Sequence, residues 1–145
     1  MVYGKNPNVK LCGYALGNEI LFYFKDNVLI NFSKNNFCRV QIRSTMANLL
    51  SYLLLNSERK FITDDDIMSD VWEMNNLRAS SHRLWQVSRD LKFKLLEIGL
   101  EEELFIRVER RGFSVNSGLV MPIYCDNRES VSLIQPENVG ELNNA

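Results

Sequence analysis

Between residues 80 and 115 the chain gathers side chains suited to holding anions. Arg83, Trp85, Gln86, Arg89, Lys92 and Lys94 recur at helical spacing, with His82 just ahead of them and Arg78 upstream. Then comes Phe-Ile-Arg-Val-Glu-Arg-Arg-Gly-Phe-Ser-Val, which carries Arg107, Arg110 and Arg111. Guanidinium forks match phosphate oxygens and the paired acceptors of a base edge, and ammonium groups act as point charges toward phosphate. This is recognition chemistry rather than bond-breaking chemistry. The chain has no Gly-rich phosphate loop, no metal-ligand cluster and no Ser or Cys paired with a His at recognisable spacing, so neither an enzyme nor a cofactor is expected.

Three residues of this stretch admit more than one role. His82 is the only imidazole, and without a carboxylate or nucleophile nearby it reads as a surface or phosphate-contacting group rather than a catalyst or pH sensor. Trp85 has three readings: an apolar contact to a thymine methyl, packing on the following hairpin, or completion of the core. Phe93 is expected to pack on that hairpin or on another subunit.

The whole chain does not announce a polyanion binder, since 17 Lys and Arg stand against 18 Asp and Glu. The distribution is more telling than the total. Residues 78–94 hold five basic side chains against one acid, a net +4, whereas residues 58–73 hold six acids against two bases, a net −4. One face is thereby suited to phosphate and another to a basic or neutral protein surface. Cys12, Cys38 and Cys125 are odd in number and lack any Cys-x-x-Cys spacing, so they are expected to be three unpaired thiols in a reducing, cytoplasmic setting, with no zinc site. No stretch approaches the roughly 18–20 apolar residues of a membrane span.

The elements that must position these groups follow from pattern. The opening residues 1–13 are polar and marked by Pro and Gly, and are expected to be loose. Residues 20–24 and 28–32 are β-branched and aromatic runs around Lys25-Asp26-Asn27, a hairpin; 33–36 supplies a turn and 37–42 a third strand. A first helix starts at Ser44 or Thr45 and ends near Asn56, with core leucines at helical spacing. Thr63 caps a second helix whose first turn is Asp64, Asp65 and Asp66, carboxylates that favour the positive helix end, and which buries Ile67, Met68, Val71 and Trp72. A loop over 73–79 leads to a third helix from Ser80 or Ser81 to Ile98, closed by Gly99, with Leu84, Val87, Leu91 and Leu95 as its apolar stripe. A hairpin over 104–115 turns at Arg110-Arg111-Gly112, where Gly112 is expected to supply a left-handed or otherwise strained turn position. Residues 119–124 form a short strand, and the acidic stretch from Asn127 reads as tail or linker.

In order and in residues this resembles the OmpR/PhoB-type winged helix-turn-helix domain, in its ToxR- and CadC-like branch. The resemblance is carried by Gly-Asn-Glu-Ile-Leu-Phe-Tyr-Phe at 17–24, the leucine-rich first helix, and Ile67 through Val71-Trp72. It continues in Leu91-Lys92-Phe93-Lys94-Leu95, similar to a Leu-Arg-x-x-Leu pattern, and in Val108-Glu109-Arg110-Arg111-Gly112-Phe113, similar to Val-Pro-Lys-Arg-Gly-Tyr. It spans about Leu16 to Val115. Ser88 stands where the pattern is usually apolar, with Val87 expected to compensate, and Glu109 places a carboxylate beside the hairpin arginines.

The resemblance implies an α+β winged helix-turn-helix: a small N-terminal antiparallel sheet, three helices, and a C-terminal β-hairpin wing. It divides the chain into an N-terminal segment (1–15), a winged-helix DNA-binding domain (16–117) and a tail or linker (118–145). It implies a sequence-specific double-stranded DNA-binding transcriptional regulator, with the third helix in the major groove and the wing on backbone or minor groove. Arg78, His82, Arg83, Trp85, Gln86, Arg89, Lys92, Arg107, Arg110 and Arg111 are the expected contacts. Self-association on DNA is expected, and a touch on RNA polymerase by the 73–79 loop is a further implied partner. The location is cytoplasmic, or membrane-tethered where the native protein continues into a membrane helix as in many relatives. The alternative is a winged-helix protein-interaction module that modulates another regulator without binding DNA, through its acidic second helix or its tail.

Overall fold

The computed structural model describes residues 8–33, 38–75, 78 and 80–126. These form two compact units, one from Gly13 to Met121, the other from the outer ends of the first and last strands. In the larger unit, strand β1 (Val9–Leu16) enters and pairs with β2 (Ile20–Tyr23), which pairs with β3 (Val28–Asn31), which pairs with β4 (Cys38–Gln41), all antiparallel. The β2–β3 turn places Asn27 at φ +50°, a left-handed position that asparagine tolerates. Leu16, Ile20, Phe22 and Leu29 bury one face of this sheet.

Three helical segments follow. Helix α1 (Ser44–Leu55) buries Met46, Ala47, Leu49, Leu50, Leu53 and Leu54, the i, i+3, i+4 set that its sequence sets out. Helix α2 (Asp64–Ile67) begins at Thr63, whose Oγ1 accepts from the Asp66 backbone N–H at 3.0 Å. Four residues on, the backbone widens into a π-helical turn over Met68–Trp72 and tightens into a 3-10 turn over Glu73–Asn75, where a regular helix and then a loop are expected. Val71 and Trp72 are both buried there, while Met68 stays half-buried.

Helix α3 (Ser81–Ile98) is bounded by local chemistry at both ends. Ser80 Oγ accepts from the Arg83 N–H at 3.1 Å. At the far end Gly99 sits at φ +107°, with Gly99 N–H bonded to Leu96 O and Leu100 N–H to Leu95 O, and Leu95 and Leu100 are both buried. That is a Schellman closure with its apolar contact. Leu84, Val87, Leu91, Leu95 and Ile98 face inward. Ser88 is buried too, and its hydroxyl is satisfied by donating to Trp85 O at 3.0 Å. Asn31, buried on β3, donates from Nδ2 to Ile98 O at 2.7 Å and so ties the first sheet to the end of this helix.

A second sheet of order β5-β7-β6 combines β5 (Ile62–Thr63), β6 (Phe105–Val108) and β7 (Gly112–Val115). The two-residue β5, invisible in the pattern, pairs Ile62 with Phe113 and Thr63 with Gly112. Within the β6–β7 hairpin the positive backbone angles fall on Glu109 (φ +50°) and Arg110 (φ +58°), and Arg111 N–H closes the turn on Val108 O at 3.0 Å. The expectation for Gly112 is corrected here. A Cβ at Gly112 would lie 2.4 Å from Ile62 O and 2.7 Å from the Phe61 ring, so close approach of β5, not a left-handed turn, excludes a side chain.

The smaller unit overturns two expectations. Residues from Val9 onward are strand rather than loose chain, and β8 (Val120–Asp126) lies beside β1. Cys12 and Cys125 are joined by a disulfide, with Cα atoms 5.9 Å apart, so only Cys38 is a free thiol among the described residues. Two strand positions facing each other supply the Cα separation that a disulfide needs, a pairing across 113 residues that no local spacing reveals. The expected turn at 33–36 and the start of the third strand at Phe37 fall largely outside the described residues, as do Asn76, Leu77, Ala79 and the tail from Asn127. No helix among the described residues is long and apolar enough to cross a membrane.

Candidate nucleic-acid interface

The outward side of α3 carries an ordered column. His82 and Trp85 stack with ring centroids 6.1 Å apart at an interplanar angle of 22°, and the Arg89 guanidinium lies 4.8 Å from the Trp85 ring centroid. These are i, i+3 and i+7 on one helix, so backbone geometry alone brings them into line. Trp85 is 51% exposed and therefore does not complete the core; its ring partners are on its own helix, not on the hairpin. Arg89 also approaches Asp90 at 3.8 Å, and Asp90 meets Arg43 at 3.7 Å. Arg83 and Gln86 are exposed, with side chains that make no hydrogen bond or ion pair among the described residues. Phe93 is exposed as well.

The β6–β7 hairpin runs beside this helix. The Lys92 ammonium stands 5.2 Å from the centroid of Phe105 at the hairpin base. Toward the tip, Arg110 and Arg111 share a cleft with Ser81 at the start of α3 and with Thr63, Asp64 and Asp65 at the start of α2. Both tip arginines are exposed, and Glu109 faces Arg111 at 3.6 Å rather than Arg110. A solvent-exposed pair of that length holds its charges loosely and leaves Arg111 open to other anions. Arg78 is exposed in the segment before α3.

Arg107 is different from the other cations. Its Nη1 and Nη2 donate to Asp64 Oδ1 and Oδ2 at 2.5 and 2.6 Å, and they also reach Gly112 O and Arg110 O at 3.4 and 3.2 Å. The same guanidinium lies 4.7 Å from the Phe113 ring centroid. Of its five N–H donors most are engaged within the protein. Asp64 is thus a member of the site that its sequence context hides, because an aspartate in a first helical turn already has an explanation.

Two further acids, Asp66 and Asp70, are engaged. Asp66 Oδ2 accepts from Arg59 at 2.9 Å, which holds its carboxyl below the ordinary range, and Tyr52 donates to Asp70 at 2.6 Å. Burial, with the Asp70 carboxylate second, pushes the Tyr52 hydroxyl up to about 12. Among the described residues no three His, Cys, Asp or Glu side chains stand together as metal ligands.

No protein-family model matches the chain, and no curated protein does. Among solved structures it is similar to the DNA-binding domain of CadC from E. coli, with a TM-score of 0.58 at 17% identity, covering 79% of this chain and 96% of that one. Taken with three helical segments, antiparallel sheets and a C-terminal hairpin, this shows the winged-helix fold, an α+β architecture.

Proposed function

We propose that the chain is a sequence-specific reader of double-stranded DNA that regulates transcription, of the OmpR/PhoB type and its ToxR- and CadC-like branch. The observation that carries the reading is the joint placement of two cationic groups. The His82–Trp85–Arg89 column with exposed Arg83 and Gln86 occupies one side of α3, and Arg110 and Arg111 adjoin the same helix at Ser81. The similar solved structure is itself a DNA-binding domain, which supports the same reading. Helix α3 enters the major groove, where Arg89 and Gln86 donate to base edges. Arg78, Arg83, His82 and Lys92 contact phosphate, and Arg110 and Arg111 lie on backbone or minor groove. Arg107 serves by fixing the wing. Residues 16–117 are the working domain, and the chain from Asn127 onward a tail or linker.

A single module of this size covers little DNA, so tight binding recruits a second copy on a repeated half-site. RNA polymerase, met by the segment after Trp72, is the proposed target of activation. The proposed location is the cytoplasmic side, where the duplex is, and it rests on that partner rather than on the cysteines.

The alternative of a protein-interaction module leans on the acids of residues 58–73. Asp64 and Asp66 are paired with the guanidinium groups of Arg107 and Arg59, which leaves less free charge for a basic partner and favours the DNA reading. Fluorescence anisotropy of labelled duplexes against salt separates the two. A DNA reader loses affinity steeply and log-linearly as condensed cations are released. Negligible duplex affinity even at low salt would instead favour the interaction module.

A further inference from the structure

Resting on that reading, we infer that Trp85 is a specificity-determining residue that reads the 5-methyl group of a thymine in the major groove. The chain has two tryptophans, and the fold treats them oppositely: Trp72 is 1% exposed, Trp85 51%. An indole left half in water forgoes much of its burial energy, so an occupant that covers it gains affinity. This indole is also held in place. His82 stacks on it from the preceding turn and the Arg89 guanidinium sits against it from the following one, which restricts its rotamers before any ligand arrives. Little conformational freedom remains to be given up on contact.

The neighbours decide the chemistry of the occupant. Phosphate gains nothing from an indole, and the hairpin rings are out of reach, Phe105 being 1% and Phe113 2% exposed. In the major groove the one markedly apolar group on a base edge is the thymine methyl, and the other features are hydrogen-bond donors and acceptors. An apolar ring bracketed by the donors of Arg89 and His82 on an outward helix face matches a thymine beside a purine whose N7 faces Arg89.

The test uses the unaltered protein and a duplex that it selects from a random-sequence pool. Each thymine of that duplex is replaced in turn by deoxyuridine, which deletes the methyl alone. Wild type is expected to lose about four-fold in affinity at one thymine per bound copy, the value of one buried carbon. Trp85→Ala should bind the thymine and uridine forms equally, and Trp85→Phe, which keeps an apolar face, should retain most of the difference. Because Trp85 is exposed, unchanged thermal melting of both variants is expected. A selected duplex whose uridine forms all bind wild type equally overturns this inference while leaving DNA binding intact. A methyl effect undiminished in Trp85→Ala overturns it as well, since another group then reads the methyl. Failure of wild type to enrich any duplex overturns the DNA reading and this inference together.

Discussion

Arg107 meets Asp64 with both terminal nitrogens, Nη1 to Oδ1 at 2.5 Å and Nη2 to Oδ2 at 2.6 Å, across 43 residues of sequence. The pair joins the wing to the first turn of α2. Its side chains are 39% and 15% exposed, between the surface and buried limits of ion-pair behaviour. We expect Arg107→Ala and Asp64→Ala each to cost about 1–2 kcal/mol in urea unfolding, with a coupling of about 1 kcal/mol in the double-mutant cycle. Simple additivity of the two would show that the bidentate pairing adds nothing.

The wing tip and the helix face should fail differently on DNA. Arg110→Ala with Arg111→Ala is expected to weaken every duplex alike and to lower the salt slope by about one for each phosphate that is no longer neutralised. Arg89→Ala or Gln86→Ala should instead flatten the preference between selected and scrambled duplexes. Competition binding at two salt concentrations reads both effects, and equal, sequence-blind losses from all four substitutions would contradict the assigned roles.

Alkaline unfolding should carry the signature of Tyr52. Its pKa is raised in the folded chain from the ordinary 10.0 to about 12, because burial and then the Asp70 carboxylate disfavour the phenolate. The folded state holds this proton more tightly, so the contribution is complete below pH 10 and is lost as pH rises toward 12. Tyr52→Phe should therefore melt with a shallower pH dependence across that window. Ultraviolet titration of the wild type should show a phenol ionising near pH 12 that is missing from Tyr52→Phe; identical titrations of the two would refute the assignment.

The Cys12–Cys125 bridge closes 113 residues of chain, and constraint of so long a loop in the unfolded state stabilises by up to about 5 kcal/mol. Cys12→Ser should lower the urea midpoint of oxidised protein accordingly, and a reductant should erase the difference between wild type and variant. Identical midpoints with and without reductant would mean that the bridge contributes nothing to stability.

What could be read in the sequence was local. The bounds of α3 are written in Ser80, whose hydroxyl needs an N–H only three residues on, and in Gly99, whose left-handed backbone needs no partner elsewhere. The periodic leucines of α1 and the Thr63 cap were legible for the same reason. The outward placement of Arg89, Gln86 and Trp85 follows from the helical wheel once Leu84, Val87 and Leu91 are assigned to the core.

What escaped depends on distant neighbours. Strand β1 exists because β2 and β8 lie on either side of it, and the disulfide because those strands bring positions 12 and 125 together. Arg107 looks like one more wing cation until Asp64 is placed beside it. Gly112 has the composition of a turn glycine, yet the strain sits on Glu109 and Arg110, and the glycine makes room for Ile62.

The amide of Asn31, bonded to the last carbonyl of α3, has a reach greater than its size suggests. Eighteen residues of helix make a rod of about 27 Å, pinned at its carboxyl end to the first sheet. A tilt of about 10° at that hinge swings the amino end by roughly 5 Å, more than a base-pair step. The small leading sheet is thus a gunsight mount that sets where the barrel points.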